Sequence, residues 1–225
     1  MKVRVKFSKR GPVKYVGHLD MMRYFQKAIR RAGIDISYSE GYSPHMIMSF
    51  ASPLGVGMES DAEYFDMQLN SHIEPDEAIR LLNEQMAEGV LVTAFTYLPE
   101  NAKKSMTITS ATDYIVTFRD GYERPCDNLS KKINEFMAQG EINVLKKTKK
   151  SETMTDIKPL IYSFCEEGGD LKMCLAAGSV ANLNVKLLLE TFWAFCGREF
   201  NPYSVQIIRS EVYMTGDGGL EPLCK

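Results

Sequence analysis

The chain has 225 residues, 44% of them apolar and 25% charged, with a formal net charge of −2 at pH 7. This is ordinary globular composition, and it excludes a protein that coats nucleic acid indiscriminately. No apolar run approaches the roughly 18 residues that span a bilayer. The N-terminal MKVRVKFSKRG lacks a signal-peptide apolar region, and Cys126, Cys165, Cys174, Cys196 and Cys224 form no Cys-x-x-Cys. A cytoplasmic chain is therefore expected, with no membrane partner, no disulfide framework and no zinc ribbon.

The charge is segregated along the chain. Residues 1–50 carry 10 Lys and Arg against 3 Asp and Glu, a balance of about +7; residues 51–100 carry 1 against 10, about −9; residues 101–150 return to 10 against 6, about +4. A local positive surface is compatible with the neutral total, and the acidic block is expected to lie away from it or to face a protein partner.

In chain order, residues 3–7 alternate as a strand, and 9–17 form a basic loop with Gly and Pro. Residues 18–32 have helical periodicity. At 100° per residue Met22, Phe25, Ile29 and Ala32 share one face with Met21 and Ala28 beside them, and Asp20, Arg23, Lys27, Arg30 and Arg31 fall opposite. Asp20 suits the first turn, and Gly33 sits at a left-handed stop. Two β-type runs follow at 34–38 and 47–51, separated by the turn-rich loop Ser39-Glu40-Gly41-Tyr42-Ser43-Pro44-His45; Pro53-Leu54-Gly55-Val56-Gly57 then breaks the chain. Residues 63–69 alternate, with Tyr64, Asp66 and Gln68 against Phe65, Met67 and Leu69. Glu74-Pro75-Asp76-Glu77 starts a helix that Ala78, Leu81, Leu82 and Met86 line and Gly89 ends, and 90–98 is a strand. That order is the ferredoxin-like split βαβ with one extra strand.

The second half repeats the theme. A strand at 113–118 leads to a helix at 126–137 with Asp127 or Asn128 as N-cap, then a strand at 142–145 and a basic hinge or loop at 146–150. A hairpin of 156–165 and 171–176 turns through Gly168-Gly169-Asp170, the most apolar helix spans 185–195, and 204–213 closes the unit. The expected fold is α+β: two tandem ferredoxin-like units with mostly antiparallel sheets, at 1–100 and 108–214, followed by a flexible tail at 215–225.

One long motif series stands out: Gly17-His18-Leu19-Asp20, Arg23, Arg30-Arg31-Ala32-Gly33, Tyr38-Ser39, Gly41-Tyr42, Pro44-His45, Ser49-Phe50-Ala51, Pro53-Leu54, Gly55-Val56, Glu59-Ser60 and Glu63-Tyr64. It resembles the radical-SAM-associated, or radical SAM-linked, proteins, a bacterial family of unknown function. The resemblance is dense in the N-terminal third. In that family Pro-His is usually followed by a proline and a basic residue, where this chain has Met46 and Ile47. The resemblance implies a radical SAM enzyme as partner. The CxxxCxxC pattern of such enzymes is missing from this sequence, which marks the chain as a companion rather than the catalyst.

Three functions fit the residues. The leading expectation is a non-catalytic accessory that binds RNA or a nucleotide-like substrate. Arg23, Lys27, Arg30 and Arg31 would meet phosphates, with Lys9, Arg10, Lys14 and the lysines of 146–150 extending the track. Tyr15 and Tyr42 would stack on bases, and Gly55 and Gly57 would let backbone approach a phosphate. His18, Asp20, His45 and Ser49 complete the expected ligand site. The second is a protein adaptor in which the basic stripe meets an acidic surface. The third is a metal-independent endoribonuclease using His18 and His45 as general base and acid, with Arg23 or Arg30 stabilising the anion and Tyr42 able to replace one histidine. His18 and Asp20, two residues apart, point in different directions on a helix, so their spacing makes no metal pair, and neither metal nor cofactor is expected. His72 reads as a surface loop residue.

Overall fold

A computed structural model describes residues 1–147 and 152–224. The chain divides into two compact units, Met1–Ser110 with Arg209–Lys225, and Ala111–Ile208. The chain is α+β with mostly antiparallel sheets.

The first unit contains β1 (Lys2–Lys9), α1 (His18–Arg31), β2 (Met48–Phe50), β3 (Glu59–Gln68), α2 (Pro75–Asn83) and β4 (Val90–Leu98). Its strand order is β4-β1-β3-β2, and each of these neighbours is antiparallel. This is the split βαβ arrangement that the order of elements predicts. Val3, Val5 and Phe7 of β1 and Phe65 and Met67 of β3 pack with Met21, Phe25 and Ile29 of α1 and with Ala78 and Leu82 of α2. Aromatic rings fill the centre: Phe25 lies 4.6 Å from Phe7 and 4.9 Å from Phe65, and Phe50 lies 5.3 Å from Phe65. The buried stripe of α1 is Met21, Phe25, Ala28 and Ile29, with Met22 and Ala32 only half-buried. The core thus contacts the helix slightly toward the Met21 and Ala28 side of the expected face, leaving Met22 at its edge.

Helix α1 ends in a Schellman motif. Ile34 N donates to Ile29 O and Gly33 N to Arg30 O, each at 3.3 Å, with Gly33 at φ +70°. Ile34 and Ile29 are both buried, the apolar contact that accompanies such a stop. Gly89 has a different constraint. It adopts φ +93°, and a Cβ there would lie 2.3 Å from Arg10 O. It closes the turn after α2, which ends at Asn83, earlier than the glycine suggests.

Residues 34–38 are not a strand. They make single bridges, Ile36 to Leu69 and Tyr38 to Met46. Ser37 inserts between β3 and the loop: its N–H goes to Gln68 O, and its carbonyl accepts from Ile47 N.

After α3 (Ser105–Ile108), a short turn still in the first unit, β5 (Thr109–Phe118) leads into the second unit. Then come α4 (Leu129–Met137), β6 (Asn143–Lys147), β7 (Glu152–Asp156), β8 (Ile161–Glu167), β9 (Asp170–Ala176), α5 (Val185–Phe195) and β10 (Val205–Gly216). Its order is β10-β5-β9-β8, again ferredoxin-like, with β6 and β7 as an inserted two-stranded hairpin. A 3-10 turn at Lys158–Leu160 separates β7 from β8, so the expected strand at 156–165 is two pieces. Asn128, not Asp127, caps α4 by accepting from Lys131 N at 3.0 Å. In the basic run at 146–150, Lys146 and Lys147 close β6, and the remainder lies outside the described residues.

The C-terminal residues, expected as a loose tail, return to the first unit. β11 (Gly219–Pro222) pairs with β10 in antiparallel register, Tyr213 opposite Pro222 and Gly216 opposite Gly219. Asp217-Gly218 therefore connects the two strands, with the positive φ of +120° falling on the following Gly219. Leu223 and Cys224 are buried with Ala62, Tyr64 and Val212.

Candidate functional site

The cationic face of α1 is exposed as the periodicity predicts. Arg23, Lys27, Arg30 and Arg31 are all exposed. Arg23 holds a 3.2 Å ion pair with Asp20, one turn away. Arg31 donates to Gln85 O at 3.3 Å. Lys27 and Arg30 have no hydrogen-bond or ion-pair partner among the described residues. Tyr15 is 66% exposed with the Lys14 ammonium over its ring, and Tyr42 projects fully into solvent.

The two histidines have different surroundings. His18 is the first residue of α1, and its ring meets Phe50 edge-on at 5.2 Å. His45 is exposed and closes the turn-rich loop: its Nδ1 shares a 2.8 Å hydrogen bond with Ser39 Oγ, and its N–H donates to the same oxygen at 3.1 Å. Asp20 is spent on Arg23. No hydrogen bond joins these three residues, and among the described residues no group of three or more His, Cys, Asp or Glu is placed to hold a metal ion. His45 and Ser49 do share a lining, that of a groove beside β2.

Gly55 and Gly57 build a turn instead of an open phosphate loop. Gly57 N donates to Lys14 O at 2.9 Å and Met58 N to Gly55 O at 3.3 Å. The Gly57 amide is thereby committed to the β1–α1 loop. The expected contribution of Lys9, Arg10 and Lys14 to the cationic track is also lost. Lys9 is buried, and its ammonium donates to Val16 O at 2.7 Å. Burial lowers its pKa, partly offset by Glu63. Arg10 binds Asp61 through Nε at 2.7 Å and Nη2 at 2.5 Å, and Lys14 reaches Glu59 at 3.2 Å.

The acidic block therefore does not stand apart. Antiparallel pairing of β1 with β3 lays its first carboxylates alongside the N-terminal cations. The most deeply buried pair is Arg209 with Glu63, at 2.9 Å through Nε and 2.6 Å through Nη2, with 2% and 6% of the side chains exposed. Arg209 Nη2 also donates to Ser52 O at 2.9 Å, tying down the segment before the glycine turn. Arg4 binds Asp66 at 2.7 Å and Leu223 O at 3.0 Å. Tyr64 Oη donates to Glu211 at 2.5 Å, and Lys6 meets the other oxygen at 2.7 Å. Sequence reasoning missed Arg209 because it lies 146 residues from Glu63. One signal was present: Glu63 shares strand parity with Phe65 and Met67, and a charge on an apolar face demands a buried partner.

Residues 2–185 match the bacterial family described as "Uncharacterized protein conserved in bacteria (DUF2344)". The chain belongs to that family. No curated protein matches the sequence. Among solved structures, a chain of the crystal structure of a Cbf5-Nop10-Gar1 complex is similar at 11% identity and a TM-score of 0.48, over 93% of this chain and 48% of that one. This chain thus spans about half the length of that protein. Among the described residues no helix is long and apolar enough to cross a membrane.

Proposed function

We propose that this protein is a non-catalytic accessory of a radical SAM enzyme that holds RNA, or a nucleotide-like substrate, on the exposed face of α1. The observation that carries the reading is a contrast in charge. Arg4 of β1 and Arg10 and Lys14 of the following loop each pair with a carboxylate of β3, whereas Lys27, Arg30 and Arg31 have no carboxylate partner among the described residues. Helical geometry spaces these side chains along about 6 Å of axis on one side, suited to successive phosphates of a single strand. Tyr15 and Tyr42 supply exposed rings for stacking. The radical SAM association rests on the resemblance carried by the motif series between Gly17 and Tyr64.

The test is a pull-down with the purified chain as bait, at low and at about 0.5 M salt, scoring RNA and protein separately. Three phosphate contacts to a single strand predict a roughly 30-fold loss of affinity between about 0.1 M and 0.5 M salt. A Lys27→Ala/Arg30→Ala/Arg31→Ala variant should lose the RNA at both. A radical SAM protein retained without RNA at either salt would replace this reading by the adaptor one.

A further inference from the structure

Two of the five cysteines are brought together in the second unit. Cys126 lies two residues before Asn128, the N-cap of α4, and Cys196 is the C-cap residue of α5. Contacts on either side set these two helix ends against each other. The Lys132 ammonium lies 5.2 Å from the centre of the Phe195 ring, Phe136 meets the same ring at 5.3 Å, and Arg198 pairs with Glu123. Between these contacts the Cys126 and Cys196 thiols come close enough to share a hydrogen bond.

Both backbones are pinned. α5 stops in a Schellman motif of its own: Arg198 N donates to Trp193 O at 3.0 Å and Gly197 N to Ala194 O at 2.9 Å, with Gly197 at φ +76°. On the other side Pro125 is buried, and the Asn128 cap fixes the start of α4. The sulfurs are nonetheless not sealed off. Both cysteines are half-buried, and Cys126 lines an open cleft with Glu123, Arg124, Asp127 and Arg198.

The two thiols have different tasks. Burial, and then the neighbouring Cys126, push the Cys196 thiol up to about 12, so it keeps its proton at neutral pH. Lys132 and Arg198, each also paired with a carboxylate, act in the opposite sense and favour a thiolate at this place. The other cysteines lack such a partner. Cys224 is buried in the first unit. Cys165 stands opposite Lys172 and Cys174 opposite Ser163, so these two are not directly across from each other on β8 and β9.

We propose that Cys126 and Cys196 form a reversible oxidation site, which hydrogen peroxide closes into an intramolecular disulfide tying the start of α4 to the end of α5. The Cys126 thiolate attacks one peroxide oxygen and the O–O bond breaks. That oxygen stays as the sulfenic acid, and the other takes a proton and leaves as water. Cys196 Sγ then attacks the sulfenic sulfur. The S–S bond forms, and the hydroxyl leaves as a second water with the Cys196 proton. Two thiols lose two electrons, and one peroxide gains them. The share of the Cys196 shift that comes from charge on Cys126 vanishes once that sulfur is oxidised. A small dithiol reopens the bond by exchange. The site uses no residue of α1, so it stands or falls separately from the RNA reading.

The test treats the reduced full chain with hydrogen peroxide, alkylates the remaining thiols and maps the linked peptides by mass spectrometry. The Cys126–Cys196 link should exceed any other pairing about tenfold, because thiols already held side by side need no chain search. Dithiothreitol should return both thiols. The same treatment in urea should abolish the preference, and a Cys165→Ser variant should close as the parent does. In Cys196→Ser the sulfenic acid on Cys126 has no thiol to resolve it, so dimedone should label it about tenfold more than in the parent. The proposal is overturned if Cys126 and Cys196 stay open to alkylation after peroxide, if another pair links instead, or if the link forms equally well in urea.

Discussion

The first unit buries five charged side chains, Arg4, Lys9, Glu59, Glu63 and Arg209, whereas the buried polar residues described in the second are Thr112 and Ser204. Both units have the same β-α-β-β-α-β order, the second with a hairpin inserted. The second coheres through a cluster of rings: Phe136, Phe164, Phe192 and Trp193 pack at 5.1 to 6.3 Å. Apolar packing is non-directional and tolerates small shifts. Bidentate ion pairs are directional, and they lose much of their benefit to desolvation. In the first unit those directional bonds reach the backbone of the motif loops, at Gly11 N, Val16 O and Ser52 O. These directional bonds fix loop positions, the kind of support that a site carried there would need.

Breaking the ionic core should give the largest effect. Arg209→Leu strands the Glu63 carboxylate in the interior and should cost about 3–5 kcal/mol in urea denaturation. Adding Glu63→Leu should recover most of that loss, because the desolvated charge is gone with its partner. A single variant as stable as the parent would show that the pair does not hold this unit. In the second unit the corresponding cut is Leu188→Ala, at a site fully shielded from solvent, with about 3 kcal/mol expected. No second substitution of opposite charge should rescue it. Asn128→Ala removes the α4 cap and should cost about 1 kcal/mol by the same measurement.

The smallest effect is confined to alkaline pH. Burial, and then the hydrogen bond to Glu211, raise the Tyr64 pKa above its ordinary 10.0. The unfolded chain therefore loses the phenol proton first, and stability falls as pH rises above that value. Tyr64→Phe removes one such proton from the balance. Its stability should decline less than the parent's, by about 0.8 kcal/mol at about pH 10.5, measured as the pH dependence of the urea midpoint. Parallel curves would place the tyrosine in a more solvated setting.

Much of the fold is legible from local pattern. β4 and α5 occupy the spans that alternation and apolar content predict, and α1 begins at His18 as read. Capping, periodicity and glycine stops act over a few residues, so a linear reading captures them. The exposed cations of α1 were equally readable, since helical spacing alone assigns them a face. The groove was only half legible: His45 and Ser49 were singled out by motif, but Lys2, Lys103 and Lys104 approach them through strand pairing and chain return.

By itself, then, the sequence determined the order of helices and strands, the exposed basic stripe and membership of a bacterial family. The tertiary structure decided which charges remain available. Residues 1–50 and 51–100 appear as opposed blocks along the chain, yet the register of β1 on β3 brings Arg4 opposite Asp66, and chain folding brings Arg10 to Asp61. Arg209 arrives from the far end of the chain to meet Glu63. Coulomb interaction and desolvation depend on distance in space, and separation along the chain does not report it.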